Sequence, residues 1–150
     1  MTFDAPVESD TAALNHMVDR MFAACRDIHV LRDPTRGGVG TVLNEIASQS
    51  SVGIRIFEEK IPVKKAVAGI CELLGFDPIY MANEGKLVAF VEGRHAGSVL
   101  SAMHEDPLGR DACIIGEAVS GHPGKVIMET RIGGERIVDM LTGEQLPRIC

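Results

Sequence analysis

Three short groups of residues combine types that do chemistry. The first is a thiol at the last position: Leu146, Pro147, Arg148 and Ile149 lead into Cys150. A side chain at a chain end is tethered on one side only, so it can leave the surface, enter a pocket and return. Pro147 stiffens the approach. Fully extended at ~3.3 Å per residue, Leu141 to Cys150 would reach roughly 33 Å, enough to cross much of a small domain. This placement predicts a carrier arm over 141–150; the alternative is a frayed terminus with an incidental cysteine. The second group is Leu31, Arg32, Asp33, Pro34, Thr35, Arg36, Gly37, Gly38. Two adjacent glycines at a helix start let the backbone approach an anion, and Arg36 would complete a phosphate clamp. It is not a Walker A loop, because no Gly-Lys-Ser/Thr follows. Its bland reading is a turn in which Asp33 or Thr35 caps the helix. The third group is Ala82, Asn83, Glu84, Gly85, Lys86, just before a strand. Glu84, wedged between a pocket and the sheet, would have a raised pKa and accept protons; otherwise the segment is a turn with Glu84 and Lys86 both solvated.

Those groups need elements to hold them. Leu14, Met17, Val18, Met21, Phe22 and Cys25 fall on one stripe of a helix that Ser9, Asp10 or Thr11 would cap. Val39, Val42, Leu43, Ile46 and Ala47 repeat the pattern after Gly37 and Gly38, ending in Ser48 to Ser51. Val52, Ile54 and Ile56 alternate as a half-buried strand, and Pro62 breaks the chain before a helix whose buried face is Ala66, Val67, Ile70, Cys71 and Leu74. Gly75 stands where a left-handed cap would sit, and Asp77 with Pro78 stops continuation. Further on, Leu87 to Val91 and Ala112 to Val119 read as strands and Ala96 to Met103 as a helix, with Pro107 as a breaker. Val126, Met128, Ile137 and Met140 flank Gly133 and Gly134 as a hairpin. About four helices and five strands, several without a helix between them, predict an α+β fold with a mixed or antiparallel sheet and helices packed on one face.

Composition narrows the class. With 150 residues and a mean hydropathy of +0.12, the chain can bury one real core. A net charge of -6, with the basic residues dispersed, argues against a nucleic-acid or anionic-membrane surface. Cys25, Cys71, Cys113 and Cys150 show no CxxC spacing, and the first three sit in apolar runs as small hydrophobes, which fits a reducing cytoplasm. The five histidines show no i, i+4 pairing and no cysteine pair nearby, so no metal site is expected. The N-terminus has no apolar signal region, and no stretch matches a membrane span.

Taken in order, RDPTRGG, ANEGK, HEDPLGRDACIIGE and the final PRIC are more specific than any of them alone. From about Leu14 to Cys150 the chain resembles the C-terminal half of the HypE family of hydrogenase maturation factors. These are similar to aminoimidazole ribonucleotide (AIR) synthetase and belong to its PurM-like superfamily. In that superfamily an N-terminal domain holds most of the ATP site and an α/β C-terminal domain closes over it. Nothing here matches the N-terminal domain, so the expectation is that Met1 begins a piece of a longer protein. The resemblance implies a PurM-like C-terminal domain over 1–140 and a carrier tail over 141–150. It also implies that the carbamoyltransferase HypF loads a carbamoyl group onto Cys150. ATP with magnesium then drives its dehydration to a thiocyanate, and the cyanide passes to iron on a HypC–HypD complex. Glu84 would accept the amide protons, Arg36 with the Gly37 and Gly38 amides would contact phosphate, and Asp33, with Thr35 in the same loop, would orient it or help hold magnesium. A homodimer is expected of the full-length form. Two alternatives stay open: a non-enzymatic docking domain, and a piece of another PurM-like synthetase, against which a terminal thiol argues.

Overall fold

The computed structural model describes residues 8–141. Helix α1 (Asn15–Ala24) leads into strand β1 (Ile28–Arg32), and helix α2 (Gly38–Ser50) into β2 (Gly53–Phe57). Helix α3 (Lys65–Leu74), a one-turn 3-10 segment at Pro78–Tyr80, β3 (Val88–Val91) and α4 (Gly93–His104) come next. The chain then runs through β4 (Gly116–Val119), β5 (Val126–Glu129) and β6 (Glu135–Val138).

The strands form two sheets instead of the single one expected. β4, β2, β5 and β6 lie side by side in that order, with β2 and β5 parallel and the other pairs antiparallel. The other sheet is an antiparallel ribbon of β1 and β3. No strand is expected from the sequence at β1, because it is partly buried on both sides and shows no clean alternation. Its register shifts between Ile28 and Val30. The extra residue turns Ile28 and Leu31 to one side and Val30 to the other, which a regular strand of period two would not do.

That ribbon separates two apolar clusters. On one side Met17, Met21 and Cys25 of α1 meet Val99 of α4, with Ile28, Leu31, Leu87, Ala89 and Val91 closing the layer. On the other, Val42, Leu43, Ile46 and Ala47 of α2 pack on Ile54, Ile56, Val126, Met128 and Val138, the inward row of the four-stranded sheet. The α+β class is as expected, and so are the left-handed cap at Gly75 and the β5–β6 hairpin, whose turn has Gly133 at φ +81°. Three details differ. No side chain caps α1; its N-cap is Leu14, and Asp10 is engaged elsewhere. In α3 only Cys71 is buried, and Leu74 is 46% exposed, because the helix meets little besides the Pro78–Tyr80 turn. Cys113 is exposed, its thiol donating to Lys60 O at 3.2 Å. No helix among the described residues is long and apolar enough to cross a membrane.

Candidate functional site

The two motif turns that sequence reading singled out are hydrogen-bonded to each other. Pro34 is fully buried in the loop between β1 and α2, and its carbonyl accepts from Asn83 N–H at 3.0 Å. Asn83 Nδ2 also donates to Met81 O at 2.7 Å, which closes the Ala82–Lys86 turn on itself. Arg32 and Glu45 pair at 2.8 Å and tie the end of β1 to the middle of α2 across the first loop. A third segment locks the arrangement from outside. Asp10 Oδ2 accepts from Lys86 Nζ at 2.8 Å and from Glu84 N–H at 3.2 Å, and Gly85 lies so close under Asp10 O that any side chain would collide with it. Partial burial alone would raise the Asp10 pKa, but the Lys86 ammonium and the Glu84 amide outweigh it and hold the carboxyl below its ordinary value.

Between these segments lies a shallow cleft of about 280 Å³. Leu14, Val18, Leu31 and Leu87 form its apolar lining, and Arg32, Asp33, Glu84 and Lys86 its charged one. Asp33 and Glu84, 51 positions apart in sequence, thus border the same cleft. Glu84 is exposed at the rim of the cleft rather than wedged between a pocket and the sheet. Arg36, Gly37 and Gly38 lie outside this lining, at the start of α2. Neither Asp33 nor Thr35 caps that helix: the N-cap is Gly37 at φ +68°, with no side-chain hydrogen bond. The first amides of α2 therefore have no side-chain partner, and the exposed Arg36 makes no ion pair among the described residues. An uncapped helix start beside an arginine suits phosphate oxygens. Gly38 has a packing reason as well, since a Cβ there would meet Ile79 O and Met81 O at 2.5 Å.

Sequence reading treated Asp77 and Pro78 as a helix stop and missed the turn they begin. Asp77 Oδ1 accepts from Ile79 N–H at 3.1 Å and nucleates the Pro78–Tyr80 turn, which carries Ala82–Lys86 on its far side. Asp10 was missed too, and only Gly85, beside two charged residues, hinted that a backbone crosses there. Cys150 lies outside the described residues. A wider depression at Asp19, Phe22, Ala23 and Arg26 contains none of the motif residues. Cys25, Asp27 and His95 bring potential ligand atoms within 4.8 Å of one another. Two of these groups also take part in hydrogen bonds: Asp27 N–H donates to Cys25 Sγ and Arg94 Nε to His95 Nε2.

Comparison with known proteins places this geometry. The family model described as AIR synthase related protein, C-terminal domain, matches residues 2–129. The curated carbamoyl dehydratase HypE of Bradyrhizobium diazoefficiens is 56% identical over all of this chain and 44% of its own length. A crystal structure of the hydrogenase maturation protein HypE in complex with ATP superposes with a TM-score of 0.92 at 46% identity, covering 100% of this chain and 46% of that one. A HypE–HypF complex superposes at 0.87 and 46% identity over 93% of this chain and 45% of that one. The chain spans less than half the length of the curated relatives it matches.

Proposed function

Since the chain belongs to the family of AIR synthase related C-terminal domains, we propose that it is the part of a carbamoyl dehydratase that presents a thiol-bound carbamoyl group to an ATP-dependent site. The observation that carries this reading is the joining of the Arg32–Gly38 and Ala82–Lys86 turns, which brings two carboxylates to one cleft, the first of them in the loop that leads to an uncapped helix start. ATP supplies the phosphoryl group that turns the amide oxygen, otherwise a poor leaving group, into phosphate. Magnesium would accompany it, with Asp33 as the carboxylate placed to help.

The work of this domain's own residues is then proton and charge management. Converting R–S–C(=O)–NH2 to R–S–C≡N removes one oxygen and both N–H protons. Glu84, at the cleft, accepts the first proton as the amide oxygen is phosphorylated, passes it to water from its exposed position, and accepts the second as phosphate leaves and the C≡N bond forms. Arg36 and the free amides of Gly37 and Gly38 hold phosphate oxygens, with Thr35 fixing the loop between them and Asp33. Cys150 carries the group and retains it as thiocyanate. HypF is the donor that loads Cys150, as the HypE–HypF complex of a relative suggests, and a HypC–HypD complex receives the cyanide. The remaining length of the relatives would complete the ATP site and form the homodimer. The unpaired Cys25, Cys71 and Cys113 fit a reducing cytoplasm.

The test is isotopic. Carbamoyl groups labelled with heavy oxygen are loaded onto the natural polypeptide containing this domain, and ATP is added. Label should appear in inorganic phosphate, one atom per thiocyanate formed. Label released into water, with unlabelled phosphate, would rule out phosphoryl activation of the amide.

A further inference from the structure

The cleft takes Leu14 and Val18 from the beginning of α1 and Arg32 and Asp33 from the end of β1, and the opposite ends of these two elements meet at a second place. There the C-terminus of α1 packs on α4, with Met17, Met21 and Cys25 against Val99. The first residue of β1, Ile28, pairs with Val91, the last of β3, from which the chain turns directly into α4. Three side chains with lone pairs converge as a result. Cys25 is the buried C-cap of α1, Asp27 is exposed just before β1, and His95 is half-buried in the first turn of α4. Each offers one potential ligand atom, and the three atoms lie within 4.8 Å of one another. Local spacing does not announce the group, because only the β1–β3 pairing brings His95 to the other two.

We propose that Cys25, Asp27 and His95 are the protein ligands of a divalent cation of the zinc class, with water in the fourth position. The donor set selects that class. One sulfur, one imidazole nitrogen and one carboxylate oxygen suit a borderline-soft ion such as zinc or cobalt, whereas magnesium and calcium take oxygen ligands. A thiolate and a carboxylate carry two negative charges to balance the ion's two positive ones, and the thiol proton leaves to solvent on binding. The distances fit as well. With metal–ligand bonds of about 2.0–2.3 Å, tetrahedral ligand atoms lie roughly 3.3–3.6 Å apart. Atoms within 4.8 Å of one another therefore close by at most about 1.5 Å. Asp27 and His95 reach solvent and can rotate by that much, while Cys25, packed between α1 and α4, is the fixed point. Asp27 N–H donates to Cys25 Sγ at 3.3 Å and ties the sulfur to the residue that bears the carboxylate. Arg94 Nε donates to His95 Nε2 at 3.1 Å; an ion taken at that nitrogen displaces it, and Arg94 keeps its pairing with Glu92 at 2.6 Å. A bound ion joins the α1–β1 junction to the start of α4, at the far end of β1 from Asp33 and separate from the chemistry proposed above.

The experiment uses the natural polypeptide containing this domain, stripped of metal with a chelator, and cobalt(II) as the probe. One cobalt per chain should bind with a thiolate-to-cobalt charge-transfer band in the near ultraviolet, which zinc removes and excess magnesium does not. Cys25→Ser should abolish the band, and Cys113→Ser and Cys150→Ser should leave it. Asp27→Asn and His95→Gln should each weaken cobalt binding at least about tenfold, no less than the loss of an outer contact to a metal ligand costs. Should Cys25→Ser fail to fold, these two variants decide. Absence of the band, its survival in Cys25→Ser, undiminished affinity in either Asp27→Asn or His95→Gln, or displacement by magnesium would overturn the site.

Discussion

At Glu84 the chemistry and the packing separate cleanly. Its backbone amide is tied to Asp10, but its carboxylate is exposed and makes no ion pair among the described residues. Glu84→Gln should therefore leave stability within about 0.5 kcal/mol. In the natural polypeptide it should still accept carbamoyl groups but form thiocyanate about a hundredfold more slowly, the usual scale for losing a positioned base. Single-turnover assays distinguish the two steps, and an unchanged yield would remove Glu84 from the mechanism. Asp10 governs the same turn through pH. Its folded pKa lies below the ordinary 3.8, so the stabilisation it provides is present above that value and is lost as the pH falls through the folded pKa. Hydrogen exchange at the Glu84 amide should accelerate in that acid range, and Asp10→Asn should abolish the extra acid dependence. Acceleration that persists in Asp10→Asn would assign the effect to another group.

The glycines show what an element demands of its sequence. Gly38 is at φ +62° with Ile79 O and Met81 O at 2.5 Å from where a Cβ would sit, and both atoms are backbone, which cannot swing away. Gly38→Ala should cost roughly 2–4 kcal/mol in thermal unfolding, from strain and collision together. Gly69 in α3 is exposed with nothing within 4 Å, so Gly69→Ala should instead stabilise by about 0.5–1 kcal/mol. This contrast also explains how much of the molecule was legible beforehand. Helix periodicity was readable wherever one face is buried, as in Met17, Met21 and Cys25 of α1. It misled at α3, where an apolar stripe exists but little covers it. β1 lacked alternation because it is pressed between two cores across a bulge. At the site, the motif residues were visible by type, and so was the glycine start of α2. That Asp33 and Glu84 border one cleft depends on long-range bonds such as Asn83 N–H to Pro34 O, which no local pattern encodes. Asp10, Asn44 and Tyr80, the chain's single tyrosine, act only through tertiary contacts and left no periodic trace.

For the whole molecule, the proposed function couples a helix start suited to phosphate with the thiol of Cys150. The chain spans 44% of its Bradyrhizobium relative; in the proposed function the complete reaction belongs to a longer polypeptide, to which this domain would contribute the joined turns and the Cys150 thiol. Cys150→Ala should accordingly abolish carbamoyl loading without lowering Tm. The most direct measurement is the mass of the C-terminal peptide after the natural polypeptide is incubated with carbamoyl phosphate, HypF, ATP and magnesium. The account predicts a carbamoyl adduct on Cys150 without ATP turnover on this domain's partner half, converted on turnover to an adduct lighter by one water. A peptide that stays unmodified, or a carbamoyl adduct found on Cys25, Cys71 or Cys113 and not on Cys150, would contradict it.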